Sequence, residues 1–169
     1  MAGGTGVDNR GTIVQDSFSN ISNLRLTSFE DAADGDANNN VIEGGAGGDR
    51  LTGGGGIDTP SYAHSTAGVS VGLVNDLAEV GDAVGDTFSG FENLLGSTFA
   101  DGLIGDTGNN SINGNGGRDS LNELGGNDRL VISETPDSLD GGEGNDFLFL
   151  MGTGTVSLDD GNFTGVETV

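Results

Sequence analysis

The segment from Gly96 to Phe149 divides without a gap into nine-residue units, which read GSTFADGLI, GDTGNNSIN, GNGGRDSLN, ELGGNDRLV, ISETPDSLD and GGEGNDFLF. The sixth residue of every unit is Asp or Asn, and the eighth is Leu or Ile. An earlier segment from Leu26 to Ser61 holds four more units in the same register, although Pro60 occupies one of its eighth positions. Chance would not keep both columns, so the chain is an array of nonapeptide repeats.

A longer repeat lies over the shorter one. Shifting the sequence by about 70 residues superimposes Asp49 on Asp119 and Leu51 on Leu121, so the array is duplicated. We therefore expect four regions. They are a first repeat block with an N-terminal cap (1–61), a connecting and capping β segment (62–95), a second repeat block (96–149), and a C-terminal cap or the start of a further module (150–169).

Each unit has a simple physical interpretation. Glycines at the first, second and fourth positions permit turns with φ > 0, and the last three residues suit a short strand whose eighth side chain points inward. Two units bring the chain round once, so that successive turns of the chain stack about 4.8 Å apart. The sequence therefore predicts an all-β fold: a parallel β-roll, or solenoid, with a short hairpin-like insertion and capping segments.

The composition is that of a chain that needs a cationic partner. It has 34 Gly, 27 Asp plus Glu and 5 Lys plus Arg, a net charge of -22, and only 33% hydrophobic residues. Such a chain repels itself and tends toward disorder unless a counter-ion is present. Nucleic acid is excluded as that partner because phosphates would be repelled. No segment has the length and apolarity of a membrane span, so membrane insertion is not expected.

Stacked turns would place the sixth-position carboxylates in two columns. Carboxylates roughly 5 Å apart repel each other by about 1 to 3 kcal/mol per pair, and a cation between them reverses the sign. Carboxylates and turn carbonyls make an all-oxygen, flexible site, which suits Ca²⁺ better than Mg²⁺ or zinc. The columns therefore predict several bound calcium ions.

The units GGAGGDRLT at Gly44, GNGGRDSLN at Gly114 and GGEGNDFLF at Gly141 resemble the G-G-x-G-x-D-x-U-x nonapeptide of the RTX, or haemolysin-type, calcium-binding proteins. The resemblance implies a parallel β-roll with calcium between each turn and the turn two units later. The side-chain ligands that it implies are Asp31, Asn40, Asp49, Asp58, Asp101, Asn110, Asp119, Asp128, Asp137 and Asp146. The implied carbonyl ligands belong to Gly44, Ala46, Gly53, Gly55, Gly114, Gly116, Gly141 and Glu143.

Some units depart from this pattern and predict weaker sites. Asn40 and Asn110 lack a carboxylate, and the units LTSFEDAAD and ISETPDSLD lack the glycines. A disordered Gly- and Asp-rich linker would explain the composition, but it would leave the aliphatic column without a reason.

Three functional interpretations follow. The first is a calcium-binding module that folds on binding Ca²⁺ outside the cell, attached to another domain or exported through the channel that the resembled family uses. The second is a self-standing structural, adhesive, surface-layer or virion component that assembles with neighbouring subunits. The third, an enzyme, is disfavoured, because Ser70 of GVSVG lies in an alternating strand and His64 is the only histidine. The resemblance implies an extracellular or particle-surface protein. The start of the chain, MAGGTGVDNR, does not resemble a signal peptide, so we do not expect an N-terminal signal.

Overall fold

The computed structural model describes residues 15–17, 19–74, 77–151 and 163–166 of the chain. Their regular structure consists of short strands and one 3₁₀ helix, Gly81–Ala83. Most of the predicted N-terminal cap and of region 150–169 lies outside the described residues. In chain order the strands are β1 (Gln15–Ser17), β2 (Asn23–Arg25), β3 (Ala32–Asp34), β4 (Val41–Glu43), β5 (Arg50–Thr52), β6 (Thr59–Pro60), β7 (Ser70–Gly72), β8 (Leu77–Val80), β9 (Thr87–Ser89), β10 (Asn93–Leu95), β11 (Gly102–Ile104), β12 (Ser111–Asn113), β13 (Ser120–Asn122), β14 (Gly125–Gly126), β15 (Arg129–Ile132), β16 (Ser138–Asp140), β17 (Glu143–Gly144), β18 (Phe147–Leu150) and β19 (Phe163–Thr164).

Most of these strands pair in parallel with the strand two units away. Leu103 in β11 aligns with Leu121 in β13, and Leu121 aligns with Leu139 in β16, so the eighth positions lie directly over one another. The offset is two nine-residue units because two units complete one turn of the chain. The predicted fold class is confirmed: the molecule is a parallel β-solenoid of about 7 turns.

The strands form long, narrow sheets. In the first block the sheet orders are β1-β3-β5-β9 and β2-β4-β6. In the second block they are β10-β12-β15-β18 and β19-β16-β13-β11-β7-β8, with a two-stranded sheet β14-β17 formed within the turns. Among the described residues, no helix is both long and apolar enough to cross a membrane.

The core is a column of aliphatic side chains between the sheets. The eighth residue of most units points inward, and in five of the six units of the second block it is at most 1% exposed. These five residues are Leu103, Ile112, Leu121, Leu130 and Leu139. The first block has a thinner core of Ala33, Ile42, Leu51 and Phe91, and both clusters contact Leu73 and Phe88. Each nonapeptide thus contributes about one buried side chain to the interior.

The two blocks meet at an insertion that leaves the stack of strands intact. β9 pairs in parallel with β5, and a parallel bridge joins Ser61 to Leu95. Between these contacts, β7 and β8 form an antiparallel hairpin, and β7 also pairs in parallel with β11. The chain therefore leaves the roll after the first block, folds the hairpin, and returns to stack its next strand on β5.

Shortening one core side chain should destabilise the roll strongly. Leu121→Ala removes a buried side chain with Leu103 and Leu139 stacked on either side of it, and should lower the free energy of unfolding by about 2 to 5 kcal/mol. Ser120→Ala, on the exposed side of the same strand, is the control and should change it by less than about 0.5 kcal/mol. Urea unfolding in calcium, followed by circular dichroism, measures both. Equal effects of the two substitutions would contradict the core described above.

Candidate metal centre

The sixth residue of each unit ends a turn and directly precedes a strand. Except at Asp137, this residue does not extend into solvent but folds back over the turn and is at most 7% exposed. The buried sixth-position residues are Asp31, Asn40, Asp49, Asp58, Asp101, Asn110, Asp119, Asp128 and Asp146. Buried carboxylates require partners, because an unpaired charge in the interior is costly.

One carboxylate oxygen of each pair forms a ladder with the backbone. The N–H of one sixth residue donates to Oδ1 of the sixth residue 18 positions later. The pairs are Asp31 with Asp49 (2.8 Å), Asn40 with Asp58 (2.7 Å), Asp101 with Asp119 (3.1 Å), Asn110 with Asp128 (2.8 Å) and Asp128 with Asp146 (2.8 Å). The structure thus brings together pairs of residues that the sequence predicts to share a cation.

The ladder continues through the junction with residues that the sequence analysis missed. The N–H of Asp49 donates to Oδ1 of Asp86 at 2.8 Å, and that of Asp58 donates to Oε2 of Glu92 at 2.8 Å. Asp86 also accepts a hydrogen bond from the hydroxyl of Tyr62 at 2.7 Å. A signal was present: Asp86 precedes Phe88, and Glu92 precedes Leu94, with the spacing of a sixth and an eighth position.

The second oxygen of several of these carboxylates has no partner. Oδ2 of Asp49, Asp58 and Asp128 is buried and accepts no hydrogen bond. At Asp49 and Asp58, Oδ2 lies over the first glycine of its own unit: a Cβ placed on Gly53 would be 2.8 Å from Oδ2 of Asp58, and one on Gly44 would collide with Oδ2 of Asp49. Buried carboxylate oxygens that have no hydrogen-bond donor are the groups expected to line a cation-binding site.

These glycines have two separate roles, which corrects the sequence interpretation. Positive φ is found at the second and fourth positions, as at Gly45 (φ 94°) and Gly47 (φ 135°), and Leu124 (φ 65°) also adopts it at a second position. The first-position Gly44 does not have a positive φ in the described structure. It is glycine because the Asp49 carboxylate occupies the space that a side chain would fill.

Burial makes the charged form of these carboxylates costly. It raises the pKa of Asp49 to about 7, with the Asp86 carboxylate adding to the shift. Burial also raises the pKa of Asp119 to about 7, and that of Asp86 to about 6. The pKa values of Asp58 and Asp128 are raised for the same reason. Without a cation, Asp49 and Asp119 are therefore protonated to a large extent near neutral pH.

The predicted carbonyl ligands lie in the same turns. Glu143 lies in β17, and the other predicted carbonyl ligands lie outside strands. Within the described residues, the carbonyls of these others accept no hydrogen bond in turns and loops. They are Gly44, Ala46, Gly53, Gly55, Gly114, Gly116 and Gly141. The described part of the chain has no cluster of three or more His, Cys, Asp or Glu side chains arranged for a metal. The ladder brings carboxylates together mainly in pairs, so a calcium site with six or more ligands would need carbonyls as well.

The first carboxylate of each block is satisfied by its own turn. Oδ2 of Asp31 accepts hydrogen bonds from the N–H (2.9 Å) and hydroxyl (2.6 Å) of Thr27. Ser97 does the same for Asp101, donating its N–H to Oδ2 at 2.6 Å and its hydroxyl to Oδ1 at 2.8 Å. The Thr27 and Ser97 hydroxyls thus donate to carboxylates of the same position, whereas Oδ2 of Asp49 has no donor.

The two asparagines are satisfied in another way. Nδ2 of Asn40 donates to the carbonyl of Ile21 at 2.7 Å, and Nδ2 of Asn110 donates to that of Glu92 at 2.8 Å. Each amide thus donates to the segment stacked before it, on the side where an Asp would present a bare oxygen. This gives a physical reason for the weaker sites that the sequence predicts there.

Other predicted residues lie elsewhere. The side chain of Asp137 is about half exposed and forms a 2.8 Å ion pair with Arg118, so the structure does not bring it into the ladder with Asp119. Its backbone N–H donates instead to the Asp119 carbonyl. Ser70 begins strand β7, and Nδ1 of His64 lies 2.8 Å from Oε2 of Glu43.

Comparison with known proteins identifies one family. A model of the RTX calcium-binding nonapeptide repeat (4 copies) matches residues 27–60, 95–130 and 124–152. Together these matches cover more than half of the chain. A search of curated proteins found no match.

The metal-free roll should become less stable as the pH rises. The pKa values of Asp49 and Asp119 are about 7 in the folded state and about 3.9 in an unfolded chain. The folded state therefore binds more protons, and the stability that these two groups contribute is present below about pH 4 and lost toward pH 7. After dialysis against a chelator, the thermal midpoint followed by circular dichroism should fall between pH 4.5 and pH 8.

A matched pair of variants separates this effect from the overall charge. Asp119→Asn should flatten the pH profile because it removes a buried acid, whereas Glu79→Gln removes one charge from an exposed side chain in strand β8 and should leave the profile unchanged. A profile that rises with pH, or that responds equally to both substitutions, would contradict the assignment.

Proposed function

Because the chain belongs to the family of RTX calcium-binding nonapeptide repeats, we propose that it is a calcium-binding structural module that folds when Ca²⁺ binds between its stacked turns. The observation that carries this proposal is the set of buried, unpartnered carboxylate oxygens of Asp49, Asp58 and Asp128. Asp49 and Asp58 lie in turns in which the carbonyls of Gly44, Ala46, Gly53 and Gly55 accept no turn or loop hydrogen bond within the described residues.

The chemistry of these donors favours calcium. Carboxylate and carbonyl oxygens in a flexible loop suit a large, hard cation with six to eight ligands, whereas Mg²⁺ requires a tight octahedron and zinc prefers nitrogen and sulfur. Bound calcium supplies positive charge to the carboxylate columns. Asp49, Asp58 and Asp128 would then bind with the oxygen that the backbone ladder leaves bare.

Folding and binding would be coupled through the charge of the chain. The net charge of -22 opposes compaction, and each nonapeptide unit buries about one aliphatic side chain. Neutralising the carboxylate columns lets those side chains stack, so that the free energy of calcium binding becomes free energy of folding.

We also propose an extracellular or particle-surface location. Extracellular calcium modules typically bind at roughly 10⁻⁴ to 10⁻³ M, so the roll would stay open at cytosolic calcium levels and close outside the cell. A role in secretion or folding of an attached domain fits this behaviour. The proposed role is non-catalytic, since the site residues are explained as ligands of a structural cation.

A second candidate function is that of a structural or adhesive component that assembles with neighbouring subunits. The observation in its favour is β18, which is the last strand of its sheet within the described residues. Its side chains Phe147, Phe149 and Leu150 are exposed, and Arg129 stacks over the Phe149 ring at 4.2 Å. An exposed apolar edge strand is a surface on which another strand can pair.

A native mass measurement distinguishes the assembly role from the module role. If β18 pairs with another subunit, the wild-type chain in calcium should form oligomers. Phe147→Lys should return it to monomers, because a charge blocks edge pairing, without changing calcium binding. Monomers at all concentrations would exclude self-assembly.

Calcium should convert the chain from coil to β structure. In a chelator at pH 8, circular dichroism should show mainly coil, and about 1 mM Ca²⁺ should produce the β spectrum. Mg²⁺ at the same concentration should produce much less. Equal spectra with and without calcium would refute coupled folding.

Substitutions in the ladder locate the ions. Asp128 pairs with both Asn110 and Asp146, so Asp128→Asn should remove or weaken binding roughly tenfold or more in calorimetric titrations. Asp137→Asn is the control because that carboxylate points outward. A loss of ions in the control equal to that in Asp128→Asn would place the sites outside the ladder.

A further inference from the structure

Glu123 stands where most other units of the second block have glycine. It is the first residue of ELGGNDRLV and follows directly after β13. Its backbone fits the turn, because its N–H donates to the Asp140 carbonyl at 3.0 Å and its own carbonyl accepts from Gly125 at 2.9 Å. Its side chain is nevertheless completely buried, at 0% exposure. A long acidic side chain has thus been folded into the roll.

The carboxylate of Glu123 lies in the turn that holds Asn110. A Cβ placed on Gly105 would be 2.9 Å from Oε2 of Glu123 and 2.5 Å from Oδ1 of Asn110, so both side chains occupy the space over that glycine. The nearest charges are also negative: Asp128, Asp146 and Asp106 all disfavour ionisation of Glu123.

The described part of the chain compensates this carboxylate only weakly. Both of its oxygens are buried, and neither accepts a hydrogen bond of good geometry. Burial raises the pKa of Glu123 by more than the backbone N–H of Ile112 lowers it. The ion pairs formed by the described residues involve Arg25, His64 and Arg118, and none includes Glu123. Burial raises the pKa of Glu123 to about 8. An acid buried in this way is either neutral and unpaired, which is costly, or is compensated by a cation from outside the chain.

Glu123 lies beside a pair of sixth-position residues that has one carboxylate fewer than the neighbouring pair. Asp101 and Asp119 supply two carboxylates to one ladder pair, whereas Asn110 and Asp128 supply one. Glu123 would supply a second carboxylate in the turn that contains Asn110. About 70 residues earlier, the corresponding residue is Gly53, in the unit whose Asp58 pairs with Asn40. The first block therefore has the same Asn–Asp pair without the extra carboxylate.

We propose that Glu123 is a side-chain calcium ligand in the turn shared by Asn110 and Asp128, which makes this site stronger than its counterpart at Asn40 and Asp58. The inference rests on the proposed calcium-binding function and adds to it a ligand outside the sixth-position column. Affinity in such sites rises with the number of charged ligands.

The test compares three variants by calorimetric calcium titration of the whole chain. Glu123→Gln keeps the size of the side chain and removes its charge, and Glu123→Gly restores the residue common at this position. Glu79→Gln removes one charge from an exposed side chain in strand β8 of the hairpin, outside the predicted ligands. Both Glu123 variants should weaken one class of sites by roughly tenfold or more, or abolish it, while Glu79→Gln should titrate like the wild type.

A second readout excludes a merely structural role. In a chelator at pH 8, Glu123→Gln should show more β structure by circular dichroism than the wild type, because it removes a buried charge, whereas in saturating calcium it should lower the thermal midpoint. A wild-type chain that binds no calcium would overturn the proposed function itself. A wild-type chain that binds several ions, with Glu123→Gln and Glu123→Gly binding the same number at the same affinities, would overturn this inference alone. Destabilisation by Glu123→Gln both with and without metal would overturn it as well.

Discussion

The repulsion between buried carboxylates is the constraint on which this structure depends. At Asp49, Asp58 and Asp128, one carboxylate oxygen accepts a hydrogen bond from a backbone N–H of the neighbouring turn, and the other oxygen is buried without a hydrogen bond. The hydrogen bond fixes the distance between turns, and the bare oxygen makes that distance unfavourable unless positive charge is present. Since each turn adds little apolar surface, the core alone does not offset this cost.

Much of the architecture was predictable because the nonapeptide has few degrees of freedom. The aliphatic eighth position and the acidic sixth position gave the parallel roll, the two-unit turn and the buried residues such as Leu121. The junction was harder to predict. There β9 returns to β5 with Asp86 placed 37 residues after Asp49 instead of 18, because the hairpin takes up the additional chain without changing the stacking register.

The details of the site depend on contacts that a repeat pattern does not contain. The pattern treats Asn110 as a weakened Asp, but the structure gives its amide a carbonyl partner and brings Glu123 beside it. It treats Asp137 as a further column member, although an exposed ion pair with Arg118 draws its carboxylate outward. It assigns every glycine to backbone freedom, whereas Gly44 is required for space. Each difference arises from one side chain finding a closer partner than the column offers.

The hydroxyl-bonded first unit of each block gives the roll a preferred starting point. Asp31 and Asp101 accept hydrogen bonds from Thr27 and Ser97 of their own turns, so these two rungs depend less on a cation than the rung of Asp49 does. They act as templates on which the next rung can order, and each added rung requires closing a loop of only about 18 residues. Growth along the chain is therefore directional, and ion supply sets how far it proceeds from either template.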